Sequence, residues 1–139
     1  MAGHRLIIPE LPSGVTLNAR SHWGRRHKRA RDMRAQIIGH AADQGMTAVE
    51  PPVEVRLLYR LPTRQSRDLD NLVAAAKPWL DGLVDAGVLP ADDVFTVRRL
   101  TADVEFGKPA RTVITVIPMR TLRSNGACYN ALSCATPNR

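Results

Sequence analysis

Cysteine, aromatic side chains and long apolar runs are all scarce in this chain. Its two cysteines, Cys128 and Cys134, both fall in the last 12 of 139 residues. Two thiols cannot complete a four-ligand zinc site, nor can they staple a small disulfide scaffold. Free thiols in a loose tail are the expectation. Aromatics make up 4% of the sequence, too few for a row of rings on which bases stack. The apolar runs are strand-sized, well short of the roughly 20 residues that a spanning helix needs. The opening "MAGHRLIIPELP" holds too short an apolar segment for a secretory leader, so the expected location is cytoplasmic. Acids are also few. Thirteen Asp+Glu face 20 Lys+Arg, a formal net charge of +7, which suggests a polyanionic partner.

What is present is the material of one domain with a tail. The apolar fraction of 44% suits one globular core. Arg5–Ile8 reads as a short strand stopped by Pro9 and Pro12. From about Arg25 to Gln44, Ala30, Met33, Ile37 and Ala41 recur at helical spacing, and Gly45 supplies a stop. Val53–Leu61 reads as a strand between prolines. A second helix is expected over about Asn71–Ala86, ended by Gly87. "VFTVRRLTADVEF" and "RTVITVI" follow as strands joined by "GKPA", the form of a hairpin. The expected order is β-α-β-α-β-β, an α/β (α+β) fold with a single mixed sheet. Residues 1–118 form the expected domain, and 119–139, polar and aperiodic, an expected mobile tail.

The few acids are not spread evenly. Arg67–Asp93, "RDLDNLVAAAKPWLDGLVDAGVLPADD", holds six aspartates. In an extended chain Asp68 and Asp70 point to one side, and carboxylates that close need a cation or a shared proton. Mg²⁺ takes one or two carboxylates plus water and phosphate oxygens. Asp70 is also a natural helix N-cap. At about 100° per residue, Lys77 and Asp81 fall on the Asp70 side, opposite the apolar stripe Leu72, Ala76, Trp79, Leu83. Asp92 reaches the start of this helix only if the next strand returns beside the previous one. Each feature also has an ordinary reading: Asp70 as a cap, Lys77–Asp81 as a solvated pair, "ADD" as an acidic loop.

The bases gather elsewhere. Arg20 to Arg34 holds seven Lys or Arg, with His22 and His27, against Asp32 alone. Such residues contact phosphates and give affinity without sequence preference. Asn18, Arg20 and His22 alternate ahead of the helix and form one polar edge. Arg25, Arg26, Lys28 and Arg29 follow on it. Trp23 suits either stacking on a base or packing at the helix entry. The histidines lack a third ligand at metal-binding spacing. No bulky apolar face accompanies the bases, which argues against a membrane surface.

"RDLDNL", the lysine after it, "LDGLVDAGVLPADD" and the β-rich end together resemble the RusA-like endodeoxyribonucleases, Holliday junction resolvases often carried by phages and prophages. "LNARSHWGRRHKRAR" is similar to that family's Asn- and Arg-rich opening. The likeness covers about residues 5–118. It implies that Asp68, Asp70 and Asp92 bind Mg²⁺, with Mn²⁺ as a substitute, and that Lys77 is catalytic. The family's lysine commonly stands where this chain has Ala74, and the first acid of its Asp-Asp pair is Ala91 here. Asn71, Asp81 and Asp93 are secondary candidates. The resemblance further implies a homodimer that cuts branched DNA, leaving 5′-phosphate and 3′-hydroxyl ends. A non-catalytic basic DNA-binding protein and a metal-dependent ribonuclease stand as alternatives.

Overall fold

A computed structural model describes residues 3–12 and 23–120. Asn18, Arg20, His22, Cys128 and Cys134 lie outside them. The elements run β1 (His4–Ile8), α1 (Trp23–Asp43), β2 (Val53–Leu61), α2 (Leu69–Ala75), α3 (Lys77–Asp85), β3 (Val97–Phe106) and β4 (Arg111–Pro118). This is the expected α+β fold with one mixed sheet.

Helix α1 forms on its stripe. Met33, Ile37 and Ala41 are buried while Arg25, Lys28 and Arg31 are exposed. Gly45, at φ 61°, ends it by taking the left-handed turn that a side chain disfavours. The core joins this stripe to the odd-numbered side chains of β2, to Leu6 and Ile8 of β1, and to Trp79 and Leu83 of α3. Trp79 is wholly buried, and its indole Nε1 donates to Gln36 Oε1 at 3.1 Å. Tyr59, also wholly buried, donates its hydroxyl to the Leu72 carbonyl at 3.0 Å. Both polar tips are therefore satisfied inside the core.

The helix expected over Asn71–Ala86 is two helices that meet at Ala76. Pro78 is the cause. It has no backbone N–H, and its ring clashes with the carbonyl four residues earlier, so one helix cannot run through it. It is accommodated in the first turn of α3, where N–H groups have no helical partner anyway. Gly82 lets α3 press on α1. A Cβ there would stand 2.7 Å from Ile37 Cβ and 3.0 Å from the Arg34 carbonyl oxygen.

The last two strands do not form a hairpin. The sheet order is β1-β4-β2-β3. β3 lies parallel to β2 (Val55 opposite Leu100, Leu61 opposite Phe106), and β4 lies antiparallel to β2 on its other side. Residues 107–110 carry the chain across the end of β2, where Gly107 N–H donates to the Leu61 carbonyl at 2.9 Å. Composition explains the exchange. β4 buries Val113, Ile114 and Val116 on both of its faces, which is a central strand's pattern. β3 carries charges along most of its length and takes the edge.

Candidate functional site

Asp68 and Asp70 stand where α2 begins. Asp68 is extended (φ −82°, ψ 125°) and occupies the N-cap position without a side-chain cap bond; Asp70 is already inside the first turn. Asp70 is therefore not the cap, and the extended geometry expected for the pair holds for Asp68 alone. Asn71 links them. Its side-chain amide donates to Asp68 Oδ2 at 3.3 Å, and its backbone N–H donates to Asp70 Oδ1 at 3.0 Å. Both carboxylates are exposed. Two negative charges at a helix N-terminus are tolerated there because the helix dipole is positive at that end.

Asp81 and Asp92 form a second pair, and Lys77 sits between them. Its ammonium donates to Asp81 Oδ1 and to Asp92 Oδ2. The Lys77–Asp81 contact follows from spacing, one helical turn apart. The Asp92 contact follows from topology. β3 returns parallel to β2, as the expectation required, but its start lies beside the start of β2, Val97 opposite Val53. Asp68 follows the opposite end of β2. The loop after α3 therefore carries Asp92 to the first turn of α3 and not to the start of α2. Asp70 lies in the first turn of α2, whereas Lys77 opens α3, past the break at Ala76. Among the described residues no hydrogen bond or ion pair joins Asp68 or Asp70 to this second group.

Electrostatics follow the contacts. Partial desolvation opposes the charge on Lys77, but its bonds to Asp81 and Asp92 outweigh that and raise its pKa above the ordinary lysine value. The Lys77 hydrogen bond, then its charge, lower the Asp92 pKa. Asp93 has a different part. Its Oδ1 accepts the N–H groups of Phe95 and Thr96 at 3.1 and 3.0 Å, closing the turn into β3.

The donor chemistry fits a hard cation, since carboxylate oxygens are what Mg²⁺ prefers. In the second pair the Lys77 ammonium already engages both carboxylates. No group of three or more His, Cys, Asp or Glu side chains among the described residues is gathered closely enough to hold a metal.

The basic residues line the outer side of α1. Trp23 is 63% exposed, and its ring meets His27 edge-on with centroids 5.2 Å apart. Arg25 and Lys28 are exposed and Arg26 half-buried. Arg29 is already engaged, with its guanidinium 2.7 Å from Glu10. Along the same helix a shallow depression of about 350 Å³ is lined by His27, Ala30, Arg31 and Arg34. Arg34 also fastens the basic helix to the acidic one, donating through Nε and a terminal nitrogen to the two Asp85 oxygens at 2.7 and 3.0 Å. That bond holds the Asp85 carboxyl below its ordinary pKa.

Sequence reasoning missed a second set of charges. The sheet face away from the helices carries Arg56, Arg60, Arg99 and Arg111 around Glu54 and Glu105. Glu54 is the most enclosed, its side chain 10% exposed, with Arg56 Nε at 2.7 Å and Arg99 at 3.5 Å. The Arg56 hydrogen bond leads in lowering its pKa. The signal was present: in "VEVRLLYRL" every second residue of this face is charged except Leu58.

No protein-family model matches the chain. It is 34% identical over 125 residues to an uncharacterized protein of Xylella fastidiosa (strain Temecula1), a match covering 87% of this chain and 80% of that one. The chain belongs to the same family as that protein.

Proposed function

We propose that this chain is a Mg²⁺-dependent, structure-selective endodeoxyribonuclease acting on four-way DNA junctions, in the manner of the RusA-like resolvases that its motifs resemble. The observation that carries the reading is the pair of exposed carboxylates at the start of α2, Asp68 and Asp70, joined by the amide groups of Asn71. Asp68 and Asp70 would hold the cation, which would supply Lewis acidity toward a phosphodiester oxygen and lower the pKa of bound water; Asp92, bonded to Lys77 beside α3, would join them only after a rearrangement that frees it. The chain's own residues do the rest. Lys77, released from Asp92, places a positive charge against the negative charge that develops at the phosphorus. Arg25, Arg26 and Lys28 bind flanking phosphates, and the Arg34–Asp85 pair fixes their helix against α3. No helix among the described residues is long and apolar enough to cross a membrane. Branched DNA is the proposed partner, the host cytoplasm the proposed location, and a homodimer the proposed assembly, because two opposed nicks on a twofold-symmetric junction call for two sites.

One observation favours a second reading. The Lys77 contacts already neutralise Asp81 and Asp92, as they would in a DNA-binding protein whose acids are structural. Nicking of a synthetic mobile four-way junction separates the two, with linear duplex and hairpin RNA as controls, in Mg²⁺ and in EDTA. The nuclease reading expects paired symmetrical nicks in the junction, lost in EDTA and in Asp70→Asn. Binding without cutting under every metal tried would contradict it, and cutting of the RNA hairpin alone would replace it with the ribonuclease.

A further inference from the structure

Two carboxylates on the open face of the sheet are surrounded by arginines, and only one of the two groups is complete. Glu54 gives a separate oxygen to each partner. Arg56 Nε stands 2.7 Å from Oε1, and an Arg99 terminal nitrogen stands 3.5 Å from Oε2. At the other end of the same strands, Arg60 and Arg111 both turn to one oxygen of Glu105. Arg60 Nε donates to Oε1 at 2.9 Å, and an Arg111 terminal nitrogen stands 3.7 Å from the same atom. The second distance is too long for a hydrogen bond. Arg111 Nε is buried and has no acceptor among the described residues. A buried donor left unpaired is costly and calls for an explanation.

Strand register leads to the same place. Arg60 lies directly opposite Arg111 on β4 and directly opposite Glu105 on β3. Like charges that face each other across a sheet repel, and one carboxylate cannot offset two guanidinium groups. Arg64 adds a third, 5.0 Å over the ring of Phe106, the residue after Glu105. This end of the sheet is therefore short of negative charge. It is also the end from which the chain leaves β2, passes Arg64 and arrives at Asp68. The basic helix is fastened there too. Thr112, next to Arg111, donates its hydroxyl to the Glu10 carbonyl at 2.9 Å, and Arg29 holds the Glu10 carboxylate at 2.7 Å.

We propose that Arg60 and Arg111 form a phosphate seat, which holds one phosphodiester group of a DNA strand crossing this end of the sheet toward Asp68 and Asp70. Two nitrogens that turn to one carboxylate oxygen can share one phosphate, and the guanidinium fork matches phosphate oxygens. Side-chain exposures of 22% for Arg60 and 28% for Arg111 keep the pair in reach of solvent. Glu105 positions the two groups and competes with the phosphate for them. The seat rests on the nucleic-acid reading given above and adds a contact on the sheet to those on α1.

Fluorescence anisotropy of a labelled four-way junction tests it, with the full chain in EDTA across a salt series. Arg60→Gln and Arg111→Gln should each weaken binding by about tenfold. The double variant should lose about 0.9 from the slope of log affinity against log salt, the share of one phosphate and not of two. Glu105→Gln removes the competitor and should bind about two- to fivefold tighter, the scale of a released exposed ion pair. Arg56→Gln removes the same charge from the complete group and should stay within about twofold of wild type. An Arg56→Gln loss equal to that of Arg60→Gln would overturn the seat in favour of general surface charge. Unchanged or weaker binding by Glu105→Gln would overturn it even if the arginine variants fold poorly. Cutting is not read in this assay, so these failures leave the nuclease reading to the nicking experiment. A wild type that binds no junction would overturn both.

Discussion

Two pairs of carboxylates, one at the start of α2 and one beside α3, are treated in opposite ways. Asp68 and Asp70 are exposed and, among the described residues, held only by the amide groups of Asn71. Asp81 and Asp92 share the ammonium of Lys77. The first pair carries uncompensated negative charge at a fixed place; the second is neutralised from within. An added cation therefore has most to gain at the first pair, while the second can contribute a ligand only by exchanging one cation for another. Under the proposed function the first pair anchors the metal and the second sets when Asp92 and Lys77 become available.

Substitution within each pair is the strongest way to break this contrast. Asp70→Asn should lower junction nicking by about three orders of magnitude, the scale of several kcal/mol of metal-supplied stabilisation. Asp81→Asn should cost only about tenfold, because its partner is a lysine and not the proposed metal. Rates from single-turnover gels would compare them, and equal losses would remove the distinction. The shared platform can be broken instead. Gly82→Val drives a side chain into Ile37 and should destabilise the fold by about 1–3 kcal/mol, read from the urea midpoint. The basic helix supplies a smaller effect. Arg25→Ala and Lys28→Ala should each reduce the slope of log affinity against log salt by about 0.9 on duplex DNA, with the affinity lost evenly across sequences.

The smallest effect is on pH-dependent stability. Asp92 has its pKa lowered from the ordinary 3.8. Its contribution is present above that value and is lost as pH falls through the folded-state pKa. Lys77 is raised above 10.5, so its contribution is present below that value and is lost as pH rises through the folded-state pKa. The melting-temperature difference between wild type and Lys77→Met should therefore shrink toward both extremes of pH. Because these side chains are about half exposed, the stability difference behind it should be a few tenths of a kcal/mol at midrange pH.

Periodicity was enough to place α1, β2 and the stripe Leu72–Ala76–Trp79–Leu83, because burial repeats at the pitch of the element. Gly45 and Gly87 marked helix ends, and both take positive φ. The break at Ala76 was also legible in Pro78, which a stripe drawn on one wheel overlooks. Strand pairing was less accessible. The short "GKPA" connection invited a hairpin, whereas the doubly buried residues of β4 required a central position. The Lys77–Asp92 and Arg34–Asp85 contacts had no local signal, since each depends on how a loop or a helix crossing closes in space.

Calorimetric titration of Mn²⁺ into wild type, Asp70→Asn and Lys77→Met tests the central claim most directly. The account predicts binding to wild type, none to Asp70→Asn, and tighter binding to Lys77→Met, where Asp92 no longer has an internal cation to give up. Binding to Asp70→Asn equal to wild type, or a Lys77→Met titration unchanged from wild type, would contradict it.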